Sequence, residues 1–82
     1  MNLAPVNIDD LNNMPAEGRP QWVGNNIYAT IQAACGDDMA PRITGMLIDE
    51  NVVNFQSLLT DVAYFNTKVT EAYALLAASQ QN

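Results

Sequence analysis

The sequence predicts an all-α domain, on three observations. Apolar residues recur every three or four positions through most of the chain, no segment alternates with period two, and prolines and one glycine fall where helices start and stop. With 82 residues, 49% of them hydrophobic and 15% charged, the chain has the composition of a single globular domain. A domain near this size buries somewhat over ~60% of the surface its unfolded chain exposes, so its core is thin and leaves little room for an enclosed active site.

Residues 1–7 carry Pro5 and no period, and are expected to form a flexible lead-in to a domain spanning residues 8–80, with residues 81–82 as a frayed tail. A first short helix follows from Ile8, Leu11 and Met14 at i, i+3, i+6, with Asn7 as N-cap, Asp9 and Asp10 at the positive end of the dipole, and a stop before Pro15. Pro15, Gly18 and Pro20 punctuate the next stretch, and Pro20 suits the first turn of a second helix over Arg19–Cys35. Val23, Ile27 and Ile31 mark one face of that helix, Trp22 and Tyr28 flank it, and Gly36 ends it.

Asp38 is expected to cap a third helix with Pro41 in its first turn and Met39, Ile43, Met46 and Leu47 as apolar positions. Asp49-Glu50-Asn51 breaks the pattern, and Val52, Phe55, Leu58 and Leu59 then resume it as a short fourth helix. Val62, Phe65, Val69, Ala72, Tyr73 and Leu76 define a fifth and longest helix, with Asp61 as N-cap and Lys68 and Glu71 paired on its exposed side. The lone Trp22 and Cys35 read as packing residues. Cys35 has no histidine to activate it.

Charge excludes several partners. Arg19, Arg42 and Lys68 stand against nine acidic residues, for a net charge of −6. Phosphate neutralisation needs clustered cations, so direct nucleic-acid contact is not expected, and anionic membranes are disfavoured by the same repulsion. One cysteine and no histidine rule out a disulfide framework and the familiar zinc clusters, and a free thiol suits a reducing compartment. No apolar run approaches the roughly 20 residues of a membrane span, and the N-terminus lacks a signal-peptide layout. No cofactor is expected.

Two glycines inside helices attract attention: Gly24 in the second and Gly45 in the third. Each costs roughly 0.5–1 kcal/mol relative to alanine in a helix interior. Either a neighbouring helix approaches closely there, or a ligand ring rests on bare backbone. Together the glycines would remove side chains from both walls of one groove, which fits a planar ring.

The segment Arg42-Ile43-Thr44-Gly45-Met46-Leu47-Ile48-Asp49 closely resembles the KITGMLLE signature of the MLLE domain. This is the C-terminal peptide-binding domain (PABC) of poly(A)-binding proteins, also present in a HECT-type ubiquitin ligase. Gln21-Trp22-Val23-Gly24-Asn25-Asn26-Ile27-Tyr28 through Ile31-Gln32-Ala33 is similar to the family's QMLGERLF and IQA stretches, and Lys68-Val69-Thr70-Glu71-Ala72 to its KVDEA. The resemblance covers about residues 6–80. It implies five short helices in a right-handed superhelix that bind an extended peptide, the PABP-interacting motif 2, found in disordered regions of translation and deadenylation factors. RNA would be bound by other domains of such a protein.

The resemblance further implies two pockets. A peptide phenylalanine would enter between the second and third helices, at Gln21, Gly24, Asn25, Tyr28, Arg42, Thr44, Gly45, Met46 and Leu47. A leucine would enter between the third and fifth, with Met46, Leu47, Asp49, Ala72, Leu75, Leu76 and Ser79 as candidates. Burying one phenylalanine is worth about 1.5–3 kcal/mol before ordering costs, so a single anchor can dominate a micromolar interaction. Met46 would lie between the pockets, where its unbranched thioether adapts to different side chains. Tyr28 stands for the family's phenylalanine, Asn25 for its glutamate, Asp49 for the last signature residue, and Ser79 for a frequent histidine. The Asp49 carboxylate is left to accept peptide N–H groups or to cap the next helix.

An enzyme is not expected, because histidine, a phosphate loop and an organised carboxylate cluster are all missing from the sequence. An acyl carrier is disfavoured because Ser57 follows Gln56 rather than aspartate, and an EF-hand because Asp37 and Asp38 lack the alternating ligands. The expectation is a monomeric cytoplasmic interaction module of a poly(A)-binding protein. The alternatives are the MLLE domain of a HECT-type ligase and a helical self-association module.

Overall fold

A computed structural model describes residue 3 and residues 5–79. Among these residues the chain forms five α-helices, with one turn of 3-10 helix at Ala16–Gly18 and no strand. The helices are α1 (Ile8–Asn12), α2 (Arg19–Cys35), α3 (Ala40–Leu47), α4 (Phe55–Thr60) and α5 (Val62–Ser79). The fold is all-α. The expected frayed tail, residues 81–82, lies outside the described residues. Of the expected lead-in, Leu3 and Val6 pack against the core.

Local chemistry sets the helix ends. The Asn7 side chain accepts the Asp9 N–H at 2.9 Å and starts α1. Pro20 occupies the first turn of α2. Gly36 ends α2 at φ +91° and ψ 168°, a conformation open essentially to glycine alone.

Two expected helix starts are corrected. Met39, not Asp38, holds the N-cap position of α3, without a side-chain bond. The Met39 carbonyl accepts the Ile43 N–H at 2.9 Å, so residues 36–39 are still the turn when Asp38 is passed. Likewise α4 begins at Phe55, because Asn54 caps it by accepting the Ser57 N–H at 3.0 Å. Val52 therefore stands outside the helix at 62% exposure, and Val53 is buried in its place. Asp61 caps α5 as expected, accepting the Tyr64 N–H at 3.2 Å.

Helices α2 to α5 each supply one stripe to the core. Val23, Ile27 and Ile31 come from α2, Ala40, Ile43 and Leu47 from α3, Phe55, Leu58 and Leu59 from α4, and Phe65, Val69 and Ala72 from α5. Leu11 and Val53 close its edges, and Trp22, Tyr28 and Cys35 are half-buried against it. Val62 and Tyr73, expected on the apolar face of α5, are exposed instead. Val62 is the first residue of its helix, and Tyr73 is turned about 100° from the buried Ala72. Lys68 and Glu71 pair at 3.7 Å.

The arrangement matters for function because α3 packs on α2 along one flank and on α5 along the other, while α4 packs on α5. Gly24, early in α2, faces Thr44 and Ile48 at the far end of α3, so α2 and α3 run antiparallel. An eight-residue helix thus presents one seam to α2 and another to α5.

Candidate functional site

The structure gives the two helical glycines different surroundings. A Cβ on Gly24 would stand 3.4 Å from Ile48 Cγ2 and 3.6 Å from Thr44 Cγ2. Gly24 is buried against α3, where a Cβ would stand at ordinary van der Waals distance. A Cβ on Gly45 would meet nothing within 4 Å. This residue is exposed on α3, where packing gives no reason to forgo alanine. The expectation of one groove stripped by both glycines is thereby refined: the α3 wall is bare, whereas Ile48 and Thr44 cover the bare backbone of α2.

The other residues expected at the α2–α3 seam lie on both helices and differ in burial. On α2, Gln21 and Asn25 are exposed, with Tyr28 half-buried about two turns on from the first and one from the second. On α3, Arg42 and Gly45 are exposed, Met46 is half-buried, and Thr44 and Leu47 are buried. Thr44 is 8% exposed, and its hydroxyl has no hydrogen-bond partner among the described residues. Leu47 turns into the core and contributes to the opposite seam.

The α3–α5 seam holds a cavity of about 70 Å³ lined by Met46 and Leu47 of α3, Val52 and Val53 of the α3–α4 connection, and Lys68, Glu71, Ala72 and Leu75 of α5. Met46, Leu47, Ala72 and Leu75 were expected together here, and the fold brings them together. Leu75 is 62% exposed, an unusual setting for a large apolar side chain, and so is Val52 at the same value. They form the apolar lip of the cavity. The Lys68–Glu71 pair gives it a polar edge, and Lys68 also lies 5.5 Å from the centre of the Tyr64 ring.

Three expected residues do not line this cavity. Leu76 packs half-buried against the core. Ser79 donates its hydroxyl to the Leu75 carbonyl at 3.1 Å, satisfied within its own helix. Asp49 accepts the Asn51 N–H at 2.9 Å and organises the turn after α3, while Asn54 does the capping of α4. Conversely, Val52, Val53, Lys68 and Glu71 were missed as lining residues. On α5 a signal was present, since Lys68, Glu71, Ala72 and Leu75 follow helical spacing i, i+3, i+4, i+7. For Val52 and Val53 it was hidden by reading Val52 into the helix.

Among the described residues no group of three or more histidine, cysteine, aspartate or glutamate side chains is gathered for a metal ion. No helix there is long and apolar enough to cross a membrane. Bare helix backbone on one side of α3 and an apolar cavity on the other are the features of a small helical docking module. The model of the MLLE domain family matches residues 10–76 of this chain. The chain belongs to that family, whose members are peptide-binding protein interaction modules. No curated protein and no solved structure matches it.

Proposed function

We propose that this domain is the C-terminal interaction module of a cytoplasmic poly(A)-binding protein. It binds PABP-interacting motif 2 peptides from disordered regions of translation and mRNA-turnover factors. A peptide phenylalanine lies over Gly45 between α2 and α3, flanked by Gln21, Asn25, Tyr28 and Arg42, and a leucine enters the cavity between α3 and α5. The observation that carries this reading is Gly45: an exposed glycine in a helix, with open space where its Cβ would be. The cavity at Met46, Leu47, Ala72 and Leu75 supports the second anchor. The domain acts as a monomer without catalysis or cofactor, and the net charge of −6 favours peptides without excess negative charge.

The test is a titration of the isotopically labelled domain with a peptide carrying the spaced leucine and phenylalanine, followed by amide shifts. Gly24, Gly45 and Met46 are expected to shift together with Ala72 and Leu75. Silence at the first three overturns the proposal. Gly45→Val is expected to abolish the response around α2 and α3 in a still folded protein, and unchanged binding would place the ring elsewhere. Sedimentation from micromolar to millimolar concentration is expected to show one monomeric species.

A further inference from the structure

Val52 has no packing task in the fold. It lies in the connection from α3 to α4 and is 62% exposed, while its neighbour Val53 enters the core. Exposed turns ordinarily carry glycine, proline or a short polar residue. This connection is also pinned at both ends. The Asp49 carbonyl accepts the N–H groups of Val52 and Val53, each at 3.0 Å, and its carboxylate accepts that of Asn51 at 2.9 Å. At the other end the Asn54 N–H donates to the Tyr64 hydroxyl of α5 at 2.9 Å. A β-branched side chain has few rotamers, so on this backbone the valine is held out to solvent in a defined place.

A single exposed valine is ordinary on a protein surface. Val52 is not single. Among the described residues four large apolar side chains are exposed, Val52, Val62, Tyr73 and Leu75, and two of these, Val52 and Leu75, line the same cavity between α3 and α5. The one comes from a turn and the other from a helix, so the tertiary fold sets them at one mouth. Leu47, Val53 and Ala72, which are buried, supply the interior of that cavity.

We infer that Val52 is a specificity-determining residue of this cavity, selecting peptides that carry a second apolar side chain two positions from the one inserted. In an extended peptide residues i and i+2 project to the same side, roughly 6–7 Å apart, and the residue between them points away. The second side chain therefore comes down beside the mouth, where Val52 and Leu75 expose apolar surface. Valine or leucine at that peptide position removes this surface from water, and serine does not. The Glu71 carboxylate on the rim disfavours aspartate there. The inference deepens the peptide-binding reading above and rests on a leucine entering this cavity.

The test uses the two-anchor peptide with serine two positions before and two after the leucine, and versions with valine at either place, followed by calorimetry and amide shifts. Valine at one of the two places is expected to tighten binding roughly three- to tenfold, as burial of one or two methyl groups allows, and to add shifts at Val52 and Leu75. With Val52→Asn the valine and serine peptides are expected to bind alike, and Val52→Thr, which keeps the branched shape, is expected to reduce the preference. A purely structural role for Val52 weakens both peptides equally and preserves the preference, and that result overturns the inference. So does the absence of any gain at either place while the serine peptide binds and shifts Ala72 and Leu75. If the serine peptide leaves Gly24, Gly45 and Met46 unshifted, the peptide-binding reading itself fails and the role of Val52 falls with it.

Discussion

Ile48 lies over the bare backbone of Gly24: its Cγ2 is 3.4 Å from where a Cβ on that glycine would stand. The end of α3 is thus seated on the start of α2, while Gly45 is exposed with open space where its Cβ would be. Two glycines that look alike in the sequence therefore have different surroundings, one packed against α3 and one open to solvent.

Substitution of Gly45 is expected to act in opposite directions on stability and binding. Gly45→Ala adds a Cβ into open space and removes the backbone-entropy cost of glycine, stabilising the domain by about 0.5–1 kcal/mol. Thermal unfolding then rises by roughly 2–8 °C, while titration shows weaker peptide binding. A variant that is less stable, or binds as well as the parent, contradicts the role assigned to this residue.

Gly24 is expected to tolerate one carbon and no more. Gly24→Ala places its Cβ at ordinary contact distance from Ile48 and Thr44, so urea unfolding should change by less than about 1 kcal/mol as helix propensity offsets local crowding. Gly24→Leu forces α2 from α3 and is expected to cost about 1–3 kcal/mol or more. Equal midpoints for the two variants would show that the seam is looser than described.

The start of α4 is tied to α5 through Asn54. Its side chain caps α4 by accepting the Ser57 N–H at 3.0 Å, and its own N–H donates to the Tyr64 hydroxyl at 2.9 Å. Asn54→Ala is expected to cost about 1 kcal/mol, and Tyr64→Phe about 0.5–1.5 kcal/mol. Because both act on one turn, the double variant should lose less than the sum, which a double-mutant cycle measures. Strict additivity would mean the two bonds are independent.

Gly36 is a purely conformational requirement. A Cβ there meets nothing within 4 Å, yet φ is +91°. Gly36→Ala is expected to cost about 1–3 kcal/mol through backbone strain alone. Chemical denaturation checks this, and an unaltered midpoint would show that the α2–α3 turn relaxes to another conformation.

Much of the helical framework was legible from local chemistry. Asn7, Pro20, Gly36 and Asp61 each act within a few residues of their own position, so α1, α2 and the start of α5 could be located without the fold. Asp38 and Val52 misled because both neighbour a turn whose closure depends on which carbonyl captures the next N–H, a choice a residue pattern does not contain. The site was legible in part. Met46, Leu47, Ala72 and Leu75 meet at one cavity, but Ser79 is engaged by its own helix and Asp49 by its own turn.

By itself the sequence determined the helical class, the family and the acidic character of this domain, because periodicity, motif and charge are written in residue order. Only the tertiary structure decided that Gly24 is covered and Gly45 open, that Val53 is buried while Val52 rims a cavity, and that Arg19 meets Glu50. These depend on how helices separated in the chain approach one another. What fills the space beside a residue is set by that approach, not by its neighbours in sequence.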